Sequence, residues 1–111
     1  MVKGAINLDK PTVYNVIYDM HNTLKKHGIK DNHIALFGSF LTGNTHEDSD
    51  IDMIIISDEF KGKNLFERID MTTKAESEVM RRFIVPMDIL CKTPEEYEYS
   101  KKTYFDSEIV V

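Results

Sequence analysis

Cysteine is nearly absent: Cys91 stands alone among 111 residues. No intrachain disulfide can form, and a lone thiol in a chain of this kind points to a reducing compartment. A catalytic cysteine needs a base beside it, and no histidine lies near Cys91 in the sequence. Long apolar runs are also lacking. Nothing approaches the roughly 20 residues that span a bilayer. Polar residues are spread through positions 1–10, which leaves no apolar core for a signal peptide. A cytoplasmic protein without membrane contact is the expectation. Positive charge is in short supply, with 14 Lys and Arg against 19 Asp and Glu, a net charge of −5. That balance argues against a partner made of extended nucleic acid, which calls for a basic stripe. It does not argue against one nucleotide held together with a metal, because the ion brings its own positive charge. The histidines His21, His27, His33 and His46 have no metal-ligand spacing. No internal repeat or low-complexity segment is present.

What the chain does contain is enough for one domain, 1–111. A chain of this length buries about two-thirds of its unfolded surface, so one core can hold it without staples. Asp9, Lys10 and Pro11 read as a helix start. Val13, Val16, Ile17, Met20 and Leu24 then recur every three or four residues, and Gly28 ends the helix. The Tyr14 and Tyr18 pair reads as packing. His33–Phe37 is a short apolar strand. Gly38, Ser39 and Gly43 break it, Phe40 and Leu41 begin a short helix, and 44–49 is a polar loop. Ile51–Ile56 has the isoleucine-rich composition of a central strand covered on both faces. Residues 57–63 form a polar connection. The stretch 64–83 reads as a helix with Leu65, Ile69, Val79 and Phe83 facing the core, and Met71-Thr72-Thr73 marks a break in it. Residues 84–91 read as a third strand, with Pro86 favouring an edge or bulge position. Thr93-Pro94-Glu95-Glu96 is a capping box opening a last helix to Lys102. Residues 109–111 read as a short strand or a partner-binding tail. The order implies an α/β (α+β) domain, a small mixed sheet flanked by helices.

Chemistry concentrates between Ala35 and Ile56. Asp50 and Asp52 are one residue apart at a strand start, so their carboxylates share one face. Alone, two such groups repel, and one tends to take up a proton. Mg²⁺ removes the conflict, because it takes one or two carboxylates together with phosphate oxygens. A solvated acidic pair is the plainer reading of these two alone. Asp88 adds weight, since it interrupts an otherwise apolar strand, where a charge must be paired, metal-bound or at a cleft. If that strand lies beside Ile51–Ile56, three carboxylates come together. They could then hold two metal ions, or one metal beside a general base. Gly38 after a buried strand lets backbone approach a phosphate closely, and the Ser39 hydroxyl can donate to it. Gly-Ser followed at this distance by Asp-x-Asp arises by chance in roughly one chain of this size in a hundred.

Ala35-Leu36-Phe37-Gly38-Ser39, then ten residues, then Asp50-Ile51-Asp52, resembles the signature of the nucleotidyltransferase superfamily that includes DNA polymerase β. The short chain is similar to the minimal nucleotidyltransferase (MNT) branch, and the likeness reaches Asp88 and the capped last helix. The resemblance implies a nucleotidyltransferase fold and Mg²⁺-dependent transfer of a nucleoside monophosphate, AMP from ATP, to a hydroxyl. It implies that Gly38 and Ser39 bind the nucleoside triphosphate. Asp50 and Asp52 would bind metal, two ions being possible, and Asp88 would be metal ligand or base. It further implies a partner: a small helical HEPN toxin, inactivated by AMP added to a tyrosine, with this chain as antitoxin. One departure stands out. Many members carry a basic residue just after Gly-Ser, where this chain has Phe40, Leu41 and Thr42. Lys61, Lys63, Arg81 or Arg82 could replace it, although a solvated surface charge is the plainer reading of each. His46, in the loop, can reach substrate, and Tyr97, Tyr99 and Tyr104 are packing residues or acceptors. Two other readings stay open: a non-catalytic module that neutralises its partner by contact, motivated by 40–42 and the apolar tail, and transfer to a small molecule such as an aminoglycoside. The acceptor, the base and the oligomeric state are open as well.

Overall fold

Helix α1, Lys10–Lys26, starts where the sequence marks it. The Asp9 carboxylate accepts the Thr12 N–H at 3.0 Å, which satisfies an amide the helix leaves unpaired. Val13, Val16, Ile17, Met20 and Leu24 form its buried stripe. The computed structural model describes residues 9–43, 50–103 and 106–111. The polar loop expected over 44–49, and with it His46, lies outside the described residues.

Four strands make one sheet in the order β3-β2-β1-β4, where β1 is His33–Phe37, β2 Ile51–Ile56, β3 Met87–Lys92 and β4 Ser107–Ile109. β1 runs antiparallel to β2 and to β4, whereas β2 and β3 are parallel. The isoleucine-rich β2 sits inside the sheet, and Ile51, Met53, Ile54 and Ile55 are fully buried. Helices α1 and α3, Leu65–Phe83, cover one face, where Ile34, Leu36, Ile51, Met53 and Ile55 join the main core. On the other face, α4, Pro94–Thr103, lays Tyr97 over Ala35, Ile54 and Ile56. Between β1 and β2 comes a single helical turn, α2, Ser39–Thr42.

Several expectations need correction. The connection 57–63 is not wholly polar in role. Asp58–Phe60 forms a 3-10 turn capped by the Ser57 hydroxyl, and it carries Phe60 fully into the core. One aromatic in a charged stretch has no periodicity to betray it. Helix α3 does not break at Met71-Thr72-Thr73. The Thr73 hydroxyl donates back to the Ile69 carbonyl at 2.7 Å, and Thr72, fully buried, donates to Glu76 at 2.6 Å. Bonding within the helix is how threonine is accommodated there. Val79 is in the core and Phe83 packs against it, but Leu65 and Ile69 are exposed. The inward positions are Thr72, Ala75 and Val79. These are small residues, so the larger hydrophobes misdirect a reading by hydrophobicity. β3 starts at Met87 rather than at Ile84, which is the C-cap of α3 at φ +50°. Pro86 precedes the strand and its carbonyl accepts the Ile51 N–H at 3.0 Å. As its proline suggested, β3 is an edge strand. β4 arrives two residues before the predicted one. Val110 donates to the Ile34 carbonyl at 2.8 Å, the Val111 carbonyl accepts from Ile34 at 3.0 Å, and both valines pack on the core. These residues are therefore part of the fold and not a free tail. Tyr18 is exposed instead of packed.

The last helix keeps its capping box. Thr93 Oγ1 accepts the Glu96 N–H at 3.2 Å and Glu96 Oε1 accepts the Thr93 N–H at 2.9 Å. Arg68 of α3 holds the same carboxylate at 2.6 and 3.1 Å, which ties α4 to α3. Thr93→Ala is expected to lower stability by about 1 kcal/mol. A thermal melt should show the midpoint falling by roughly 4 °C.

Candidate active site

Strand register builds the site. Antiparallel pairing sets Phe37 opposite Asp52, and parallel pairing sets Asp52 opposite Asp88. β4 adds Ser107 opposite Phe37. One row across the sheet therefore reads Ser107, Phe37, Asp52, Asp88, with all four on one face. Neighbouring strands lie about 4.8 Å apart, so the carboxylates of Asp52 and Asp88 are neighbours. Asp50 is exposed and stands just ahead of β2, and Asp88 is exposed on its edge strand. Asp52, between them, is half-buried.

The electrostatics follow from that placement. Partial burial pushes the Asp52 carboxyl above its ordinary value, and the negative charges of Asp88 and then Asp50 push it further the same way. Both neighbouring acids thus act on Asp52. Among the described residues, no group of three or more His, Cys, Asp or Glu side chains is drawn into a closed metal-holding cluster. The fold brings Asp52 and Asp88 into one row and Asp50 within electrostatic reach of Asp52. The donor set still suits a hard divalent cation. It consists of carboxylate oxygens, and the crowding of like charge on half-buried Asp52 is relieved by a cation.

Gly38 fits against this row. Its φ of +75° is a conformation that side chains resist. A Cβ there would overlap Asp52 Oδ2 and come within 2.9 Å of Asp52 Cγ. Only a bare Cα lets the turn lie on the carboxylate. The Gly38 carbonyl accepts the N–H groups of Leu41 and Thr42 at 3.1 Å each, and that of Ser39 accepts the Gly43 N–H at 2.8 Å. Ser39 thus opens a tight turn beside the acidic row.

The departure after Ser39 has a structural cause: Phe40 is buried in the main core and Leu41 packs against it. These positions fill space under the turn. Two of the four cations named as substitutes, Lys61 and Arg82, are engaged in ion pairs. Lys61 pairs with Asp58 at 3.2 Å and Glu95 at 3.3 Å, and it and Lys63 follow the far end of β2 from Asp52. Arg82 pairs with Asp19 at 2.8 Å and Glu78 at 3.3 Å, and Arg81 is exposed. Tyr97 is buried with its hydroxyl 2.7 Å from Ser107 Oγ, so it is a packing residue and no acceptor. Tyr99 is exposed. Tyr104 lies outside the described residues. His21 bonds Asn32 at 2.8 Å and His27 bonds Glu78 at 2.7 Å. Sequence reasoning gave no role to Phe37 or Ser107. Their membership of the acidic row depends on long-range pairing, for which the sequence carries no local signal.

A mixed α/β domain with an acidic row at the start of its central strand, set against a Gly-Ser turn, has the build of a phosphate-handling transferase. The family model of the nucleotidyltransferase domain matches residues 19–111, and the chain belongs to that family and is a nucleotidyltransferase. This bears out the resemblance carried by Gly38-Ser39 and Asp50-Ile51-Asp52. No relative was found among curated proteins. Solved structures share the fold. A candidate nucleotidyltransferase from Sulfolobus solfataricus is 20% identical with a TM-score of 0.60, over 98% of this chain and 87% of its own. A second candidate nucleotidyltransferase is 23% identical with a TM-score of 0.56, over 84% and 95%. A toxin–antitoxin structure with AMP-PNP is 19% identical with a TM-score of 0.54, over 88% and 72%. Among the described residues no helix is long and apolar enough to cross a membrane.

Proposed function

We propose that this nucleotidyltransferase is a Mg²⁺-dependent adenylyltransferase. In this reading it moves AMP from ATP to a tyrosine hydroxyl of a HEPN-type helical toxin and so acts as antitoxin. The observation that carries the reading is the pairing of Asp52 with Asp88 beside a glycine whose bare Cα rests on the Asp52 carboxylate. The fold shared with a toxin–antitoxin bound to AMP-PNP supports both an adenine nucleotide and a protein partner.

Asp50, Asp52 and Asp88 are the residues that would hold the cation, which when bound neutralises phosphate charge and polarises the α-phosphorus. The chain's own residues supply the rest. Gly38 lets backbone approach the triphosphate, and the Ser39 hydroxyl donates to it. Asp88, the exposed member of the row, either completes the ligand set or accepts the proton of the attacking hydroxyl. The acceptor oxygen bonds to the α-phosphorus, the bond to the β-phosphate oxygen breaks, and pyrophosphate leaves. Positioning does most of the work in such transfers. A contact-only role loses one of its two motives, because Val110 and Val111 are packed into the fold.

The test uses the purified protein, Mg²⁺ and a HEPN-type helical protein as the candidate partner, with ATP labelled at either the α or the γ phosphate. Label from the α position should appear on a tyrosine of the partner, and chelation of Mg²⁺ should stop it. Transfer of the γ label, or an α label that stays on small molecules, overturns the reading.

A further inference from the structure

Helix α3 carries a second stripe on the side away from the core. Phe66, Ile69, Thr73, Ser77, Met80 and Ile84 follow one another at spacings of 3, 4, 4, 3 and 4, none is charged, and all are exposed. At about 100° per residue, Phe66, Ile69, Thr73, Ser77 and Met80 lie on one face of the helix, and Ile84, its C-cap, follows them. Phe66 is 80% exposed, Ile84 73%, Ile69 47% and Met80 46%. Single exposed hydrophobes need no explanation, but four of them along one uncharged stripe do. Ile84 sharpens the point. It is a β-branched residue at φ +50°, a strained conformation that gains no burial within the described chain.

The order of sizes along the stripe is large, large, small, small, large, large. It reads the same from either end, with its centre near residue 75. Turned end for end on a second copy, the small pair Thr73 and Ser77 meets its own equivalent and lets the helices approach. Phe66 and Ile69 meet Met80 and Ile84 of the second copy. The same alignment sets Asp70 opposite Arg81 of the second copy, twice by symmetry. Both residues are exposed on the same flank of the stripe, and neither has an ion-pair partner among the described residues. A surface complementary to itself in shape and in charge is what a two-fold interface requires.

We propose that α3 is the two-fold interface of a homodimer, packed antiparallel against α3 of a second copy. α3 covers the sheet face opposite the row of Asp52 and Asp88, so both sites stay open in the pair. The helix is 19 residues, about 28 Å, long. A single helix face of that length makes a small interface, so self-association on the order of micromolar is expected.

Sedimentation equilibrium of the full chain, from about 1 to 200 μM, tests this. The wild type should be a dimer at the upper end. Met80→Glu, at an exposed position, should give a monomer with an unchanged circular dichroism spectrum. Asp70→Arg and Arg81→Asp should each weaken association about fivefold or more, and the double variant should restore it. That rescue does not depend on Met80→Glu folding, and it is specific to the antiparallel register. A monomer across the whole range overturns the proposal. So does a dimer indifferent to these substitutions, a double variant weaker than either single one, or a monomer whose stripe binds a different helical protein.

Discussion

Asp52→Asn is expected to abolish nucleotidyl transfer and, at the same time, to make the protein more stable. The carboxylate sits at the centre of the acidic row, with Asp88 in register on one side and Asp50 just ahead of it. Its loss should cost about a thousandfold or more in transfer, roughly 4 kcal/mol of transition-state stabilisation. The stability effect has the opposite sign because the native charge is held under strain. Partial burial, then Asp88, then Asp50, raise the Asp52 carboxyl above its ordinary 3.8. A carboxyl raised by folding keeps its proton longer in the folded state than in the unfolded one. The folded state therefore binds more protons across that window, and stability falls as pH rises through it. Below the ordinary value, wild type and variant should melt alike. Above the raised value, the wild type should melt lower than the variant. A divalent cation should raise the wild-type midpoint and leave the variant nearly unmoved, since only the wild type has the charge to hold it. Melts from pH 3 to 8, with and without Mg²⁺, check all of this. A variant that loses stability at neutral pH would show that Asp52 is an ordinary structural carboxylate.

Much of the fold was readable because its signals are local. The Asp9 cap, the Thr93 and Glu96 box, the glycine after α1 and the isoleucine run of β2 each act within a few residues, and each is found in place. What failed depends on distant partners. α3 has two stripes, an inner one of Thr72, Ala75 and Val79 and an outer one that carries larger hydrophobes, and periodicity alone cannot say which faces the sheet. For that reason Leu65 and Ile69 read as core residues in the sequence, although both are exposed. Phe60 turns inward from a charged stretch, and Val110 and Val111 dock on β1 at the far end of the chain. The site divides in the same way. Gly38, Ser39, Asp50 and Asp52 form a short pattern, and Asp88 shows itself as a charge in an apolar run. That Asp88 falls directly opposite Asp52, with Phe37 and Ser107 continuing the row, is a matter of register between strands far apart in sequence.

Gly38→Ala is expected to damage both the fold and the transfer, and the two losses share one cause. At φ +75° an alanine is strained whatever its surroundings. Here the surroundings also resist it, because the added methyl would overlap Asp52 Oδ2 and press on its Cγ at 2.9 Å. The strain and the overlap together should cost about 1–3 kcal/mol of stability. The transfer should fall by roughly a hundredfold or more, since a carboxylate displaced by even an ångström no longer aligns what it binds. A double-mutant cycle separates the causes. Asp52→Ala removes Oδ2 and Cγ and leaves only Cβ, 3.1 Å from the new methyl. Gly38→Ala made in that background should therefore cost clearly less stability than in the wild type. The part that persists measures the backbone strain, and the part that vanishes measures the contact with the carboxylate. Equal costs in both backgrounds would mean that Gly38 serves the turn alone. A Gly38→Ala protein with undiminished transfer would mean that the close fit of the turn on Asp52 has no bearing on the reaction.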